Sequence, residues 1–295
     1  MVGRYFDVRK NSAYLKTINL LNSRTIKFTQ NQLNHQKVIC MNNLITLDCG
    51  SFDSALNSLV SIFGCTPELL REFLSNSEID QYFENNPQLN VCFKEYIYEI
   101  VLEHIGEPQM PDLVTWFHTT RVPAITNFEE GILPLSKILP KLKTMLIDLI
   151  DDDLLKEQFS KALVENEIND FHYSNKTNNM MHWGPYAILV RNVAFQAKEL
   201  GQHDYLDMPE IIEDICNGFK NISGIDLFEQ FRGKLKPAIV KFTSINETEE
   251  DCIATALCYV RSSIMQGKVD QNCVYCFNGN NKPIPYLDIV CVEFV

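Results

Sequence analysis

An α+β chain, helical in its first third and mixed thereafter, is the fold class that this sequence predicts. Three observations carry it. From Ser54 to Gly106 the apolar side chains repeat at helical spacing, punctuated by Gly64, Thr66-Pro67 and Gly106. Beyond residue 107, short apolar and β-branched runs alternate with helical stripes. Between the two, Glu107-Pro-Gln-Met-Pro111 places two prolines where no helix can continue. The expected organisation is a mostly helical module over 1–106 followed by a mixed α/β domain over 107–295.

Taken in order, Tyr14–Leu21 fits a helix, and Val38–Met41 and Leu44–Leu47 flank Asn42-Asn43 as the arms of a hairpin would. Leu56, Leu59, Val60 and Phe63 share one face of a helix that Gly64 ends. Thr66 as cap and Pro67 at the first position start a second, carrying Leu69, Leu70, Phe73 and Leu74. A third, from about Val91 to His104, buries Phe93, Ile97, Ile100 and Val101. Leu113 to Phe117 predicts a buried strand that delivers His118, Thr119, Thr120 and Arg121 at its end. Pro123 then suits the first turn of a short helix, with Ile125, Phe128 and Ile132 at helical spacing and Gly131 as its stop.

Ile138–Ile150 and Leu154–Val164 predict amphipathic helices on either side of Asp151, Asp152 and Asp153, an acidic run that serves most simply as a solvated cap. Between Asn166 and Met181 asparagines crowd the chain without an apolar period, which predicts a loop. Gly184-Pro185 make a turn before a strand over Tyr186–Val190, and Asp207-Met-Pro-Glu210 opens a helix with Ile211, Ile212, Ile215 and Phe219 inward. Ala238–Phe242 is a strand, Cys252–Met265 a helix, Val274–Phe277 a strand, Asn278-Gly279 a turn and Ile289–Val295 a terminal strand.

Composition excludes several classes of function. The 295 residues are 45% hydrophobic, as in globular proteins, and no apolar run approaches the roughly 18 residues of a membrane span. The N-terminal Met-Val-Gly-Arg-Tyr-Phe-Asp has no apolar signal core, so a soluble, cytoplasmic protein is expected. Ten cysteines scattered through apolar contexts predict reduced thiols, and Cys273-Val-Tyr-Cys276 lacks the second pair that a zinc site needs. A net charge of −12 repels phosphate backbones, which argues against direct nucleic-acid binding and favours a basic protein partner. No P-loop, dinucleotide glycine fingerprint or nucleophile elbow is present.

Phe117-His-Thr-Thr-Arg121 together with Phe128-Glu-Glu-Gly-Ile-Leu-Pro134 resembles the first conserved block of the ADP-ribosyltransferase fold, in which a strand ends in a histidine followed closely by threonine. The resemblance implies a split-sheet α/β domain. It also implies NAD as cofactor, with His118 bonding the nicotinamide-side ribose, Thr119 and Thr120 beside it, and Tyr186 stacking on nicotinamide. Lys282-Pro-Ile-Pro-Tyr-Leu-Asp-Ile-Val-Cys-Val-Glu293 resembles the closing strand of that family. Catalysis there uses a glutamate ahead of the penultimate strand, a fixed negative charge facing an oxocarbenium-like ribose. At that place this chain reads Asp270-Gln-Asn-Cys273, so Asp270 is the one candidate, and Glu293 lies on the wrong strand. A further enzymatic reading comes from Phe117-His118-Thr119-Thr120 and Phe171-His172-Tyr173-Ser174, which fit the paired motif of two-histidine phosphoesterases.

In length and character the chain is also similar to the phage-encoded inhibitors of bacterial defence complexes, the anti-Gabija inhibitors in particular. That similarity implies a protein without catalysis or cofactor that oligomerises in the host cytoplasm and encloses a nuclease–helicase defence assembly. Asp151, Asp152 and Asp153, or Glu210 and Glu213 on the helix after Asp207, are the acidic groups expected to face a basic surface of that partner. Binding is the reading adopted from the sequence, with an NAD-dependent transferase as the alternative.

Overall fold

The computed structural model describes residues 44–165, 167–245 and 250–295. Among them, ten α-helices accompany one six-stranded, largely antiparallel sheet, so the chain is α+β as its sequence predicts. No helix among the described residues is long and apolar enough to cross a membrane.

The first helices follow their punctuation. Helix α1 (Phe52–Phe63) is capped by Ser51, whose hydroxyl accepts from Ser54 N, and it ends at Gly64 in the left-handed conformation, φ 59°. Helix α2 (Pro67–Leu74) starts on Thr66, whose hydroxyl accepts from Leu69 N at 3.2 Å. Helix α3 (Glu78–Asn85), unpredicted, buries only Ile79, too little for an apolar stripe to show. Helix α4 (Phe93–His104) buries Ile97 and Val101 as expected. The expected helix at Tyr14–Leu21 and the hairpin arm Val38–Met41 lie outside the described residues. The other arm supplies β1 (Thr46–Leu47), which runs parallel to β2.

Strand β2 (Leu113–Val122) organises the sheet. All of it pairs antiparallel with β4 (Lys236–Ile245), from Leu113 opposite Ile245 to Val122 opposite Lys236. His118 to Arg121 are therefore ladder residues and not the tip expected beyond Phe117, because Thr119, Thr120 and Val122 are β-branched and fit the pleat. The other edge of β2 is divided: β1 lies beside Leu113 and Val114, and β3 (Tyr186–Ile188) beside Phe117. Strand β5 (Cys276–Asn278) extends the sheet past β3, and β6 (Ile289–Phe294) extends it past β4, giving the order β5-β3-β2-β4-β6.

Helix α10 (Glu250–Gln266) is the hub of the larger core, with every residue from Cys252 to Ser262 buried. It packs against α1 and α4, and its cluster joins Leu59 and Ile97 of the early helices to Trp116, Val240 and Phe242 of the sheet. Arg261 reaches out of that core to donate to the Leu74 carbonyl and to pair with Asp80 of α3 at 2.6 Å. The prolines of Glu107–Pro111, expected as a joint between modules, thus connect elements inside one compact unit, Ile45–Val295.

The remaining helices form a second cluster. Helices α5 (Leu135–Asp148), α6 (Asp153–Val164), α7 (Phe171–Asn178), α8 (Glu210–Ser223) and α9 (Phe228–Lys234) surround Phe159, Phe219 and Phe231, with the first two rings edge-to-face at 5.0 Å. The loop expected over 166–181 is replaced by α7, because Asp170 caps Tyr173 N at 2.8 Å and the Tyr173 ring is buried. Conversely, no helix follows Pro123. Phe128 sits at φ 54° and Gly131 at φ 79°, both outside helical space, and Ile125 is 91% exposed. That segment is pinned by Ile132 pairing with Ile284, and a Cβ on Gly131 would fall 2.0 Å from the Ile284 carbonyl oxygen.

Phe159→Ala removes a side chain with no exposed surface from the centre of the second cluster. It is expected to cost about 3–5 kcal/mol in denaturant unfolding; a loss below about 1 kcal/mol would mean that this cluster is not the packed core described.

Candidate functional site

The ladder between β2 and β3 is short, and a cleft of about 970 Å³ opens beyond it. Its lining runs from His118 to Val122, through the pinned segment after Pro123, along α5, and back through Trp183 to Ile188 and the start of α8. Most of that lining is apolar, with a few polar groups converging, which is the make-up of small-ligand sites.

His118 is the best-defined polar group there. Its Nδ1 lies 2.7 Å from the backbone carbonyl oxygen of Tyr186, and since a carbonyl only accepts, Nδ1 carries the hydrogen and Nε2 keeps its lone pair. Burial pushes the imidazole below its ordinary value of 6.5, and the hydrogen bond to Tyr186 opposes this only in part. At neutral pH the ring is a neutral acceptor. Thr119 and Thr120 flank it on the strand and also line the cleft.

Tyr186 completes the pair that the resemblance singled out. Its carbonyl holds His118, its hydroxyl donates to the Met181 carbonyl, and burial followed by the nearby Glu210 charge raises its pKa. His118, Thr119, Thr120 and Tyr186 thus line one cavity.

Asp270 does not join them. It caps the turn at 271–273, with Oδ1 accepting from Asn272 N at 2.8 Å and Oδ2 accepting from the Ser262 hydroxyl at 2.6 Å, and it is absent from the cleft lining. Three carboxylates do line the cleft: Glu129 and Glu130 on the pinned segment, bonded to Asn127 and Lys141, and Glu210, expected from the sequence as a surface contact. Glu210 lies 3.5 Å from Lys176 Nζ and hydrogen-bonds the Tyr205 hydroxyl, whose pKa is raised by burial first and by Glu210 next. Burial works against the charge of Lys176, but the hydrogen bond and charge of Asp214, 2.7 Å away, together with Glu210, outweigh it and raise the pKa of the amine. Lys176 and Tyr205, missed in the sequence, belong to segments with no apolar period, so no local signal marks them.

The other expected site residues lie elsewhere. His172 is on the exposed face of α7, outside the cleft lining, so the two-histidine phosphoesterase arrangement does not form; the cleft holds His182 and His203 instead. Asp152 caps α6 by accepting from Leu155 N at 2.7 Å, Asp151 pairs with Lys234 at 2.5 Å, and Asp153 is exposed. Glu213 approaches His203 at 3.8 Å. Cys273 is buried and Cys276 exposed, and no cluster able to hold a metal occurs among the described residues. No family model, curated protein or solved structure matches the chain.

The depressed pKa of His118 has a consequence for stability. Above pH 6.5 the ring is neutral folded or unfolded and contributes no slope; as pH falls below 6.5 the unfolded chain takes up the proton first, so stability is lost down to the folded value. His118→Asn keeps a donor for the Tyr186 carbonyl and does not titrate. Denaturant midpoints between pH 7 and 5 are expected to fall more steeply for the native chain than for this variant, and parallel curves would contradict the assignment.

Proposed function

We propose that the protein acts by binding, as a phage-encoded inhibitor that associates with itself and occludes a bacterial defence assembly of the nuclease–helicase type, and that its cleft holds a ligand or partner group without turning it over. One observation carries the absence of turnover. Asp270, at the place where the transferase resemblance requires a carboxylate, has both oxygens engaged by Ser262 and Asn272. The net charge of −12 supports a partner with a basic surface, and the likeness to anti-defence inhibitors in length and character supports the choice of partner.

A second reading, an NAD-dependent ADP-ribosyltransferase, is favoured by Glu210 sharing the cleft with His118 and Tyr186. Against it, Glu210 is already met by Lys176 and by the Tyr205 hydroxyl, so part of its charge is neutralised before any substrate enters.

Two measurements test these readings. Incubation with NAD is expected to release no nicotinamide and to label no protein or nucleic acid. Nicotinamide release that disappears in both Glu210→Gln and His118→Asn would replace the first reading by the second. Affinity capture from a bacterium carrying a nuclease–helicase defence system is expected to retrieve that complex in a fixed ratio, whereas recovery of the chain as a solitary monomer would count against an inhibitor.

A further inference from the structure

A second concavity, of about 630 Å³, lies outside the cleft, between the start of α1 and the last turns of α10. Its lining includes Arg71, Arg191, Asn192 and Tyr259, and it contains two arginines and no Asp or Glu. Each arginine has one carboxylate beside it, so in a chain of net charge −12 the concavity is locally balanced in charge.

Both arginines are held in place by aromatic rings. The Arg71 guanidinium lies 4.7 Å from the centre of the Phe52 ring, and that of Arg191 lies 4.9 Å from the centre of the Phe195 ring. Arg191 is braced further by Glu293, which takes Nε at 3.2 Å and Nη2 at 2.6 Å and leaves Nη1 for another acceptor. Arg71 has a looser contact, 3.8 Å to Asp53, whose side chain is 82% exposed and so holds it weakly.

Donors complete the wall. Asn192 Nδ2 donates to the Tyr259 hydroxyl oxygen at 3.1 Å, which fixes both groups at the floor. Gly50, Ser51 and Phe52 line one side, so the N-terminus of the twelve-residue α1 opens on the same space. Ser54 N is taken by the Ser51 hydroxyl and Ser51 N by that of Ser54, so the first-turn N–H groups left to carry partial positive charge there are those of Phe52 and Asp53. Two braced guanidiniums facing one space suit the tetrahedral oxygens of a phosphate, each able to offer paired N–H donors.

We infer that this concavity is a phosphate site, in which a phosphate group, free or carried on a nucleotide, sits between Arg71 and Arg191 and against the start of α1. Arg71 is the ligand that moves, exchanging its loose contact with Asp53 for the phosphate, while Arg191 is fixed by Glu293. The site is independent of the cleft and of the proposed inhibition.

Calorimetric titration of the full chain tests it, with inorganic phosphate in one arm and adenosine monophosphate in the other. Saturable binding is expected, weakened about tenfold or more by Arg71→Gln, abolished by Ser263→Glu, which puts a carboxylate into the concavity, and unchanged by Lys156→Gln, which removes a distant positive charge. Adenosine monophosphate binding much more tightly than phosphate identifies a nucleotide as the source; equal affinities identify free phosphate. Absence of saturable binding in both arms, or binding that survives Arg71→Gln and Ser263→Glu with the fold intact by circular dichroism, overturns the inference.

Discussion

The hydrogen bond from His118 Nδ1 to the Tyr186 carbonyl is the contact on which the cleft depends. Strands β2 and β3 share a single ladder position, Phe117 opposite Ile188, and beyond it the chains diverge. A backbone carbonyl left unpaired at such a divergence costs as much as a lost hydrogen bond. The imidazole takes that carbonyl, so one side chain closes the gap in the sheet and at once fixes its own tautomer. The cavity begins where the main-chain pairing stops, with the lone pair of Nε2 as a consequence of how the sheet ends.

The rest of the cleft is built from long-range pairings around that point. The segment after Pro123 is held against Ile284, and Gly131 is the only residue type that fits there, because any side chain would collide with the Ile284 carbonyl. Leu135 N bonds the Trp183 carbonyl at 2.8 Å and the Trp183 indole bonds the Lys176 carbonyl at 3.1 Å, tying α5 to α7. Lys176 in turn gathers Asp214 and Glu210. A charge as buried as this one is stable only with such partners, and its pairing places Glu210 and Tyr205 in the cavity.

These long-range pairings are also where the sequence ceased to be legible. Caps and stops, such as Ser51 with Gly64 and Thr66 with Pro67, act over three or four residues and can be read locally. Helix α10 and the first half of strand β2, Leu113 to Phe117, are equally plain, since dense apolar composition is enough, whereas His118 to Val122 join the ladder only through β4. Helix α7 carries a local signal in its Asp170 cap, but the contacts that fix it in place, the burial of Tyr173 and the Lys176–Asp214 pair, join residues far apart in the chain and left no apolar period to read. The helix expected after Pro123 had correct spacing, yet tertiary pinning sets Phe128 to a positive φ and overrides propensity. Within the site, His118 and Tyr186 were marked by a motif. Glu210 had the look of an ordinary acidic first-turn residue, and only the fold reveals it facing Tyr205 and Lys176.

A cavity with a neutral histidine acceptor, a tyrosine and the Glu210 carboxylate already engaged by Lys176 and Tyr205 is what the proposed binding role draws on. That account stands on the state of one imidazole. Long-range nitrogen–proton correlation NMR of the His118 ring at neutral pH reads it directly: hydrogen on Nδ1 with Nε2 bare is the predicted result, and hydrogen on Nε2, or on both nitrogens, would contradict it.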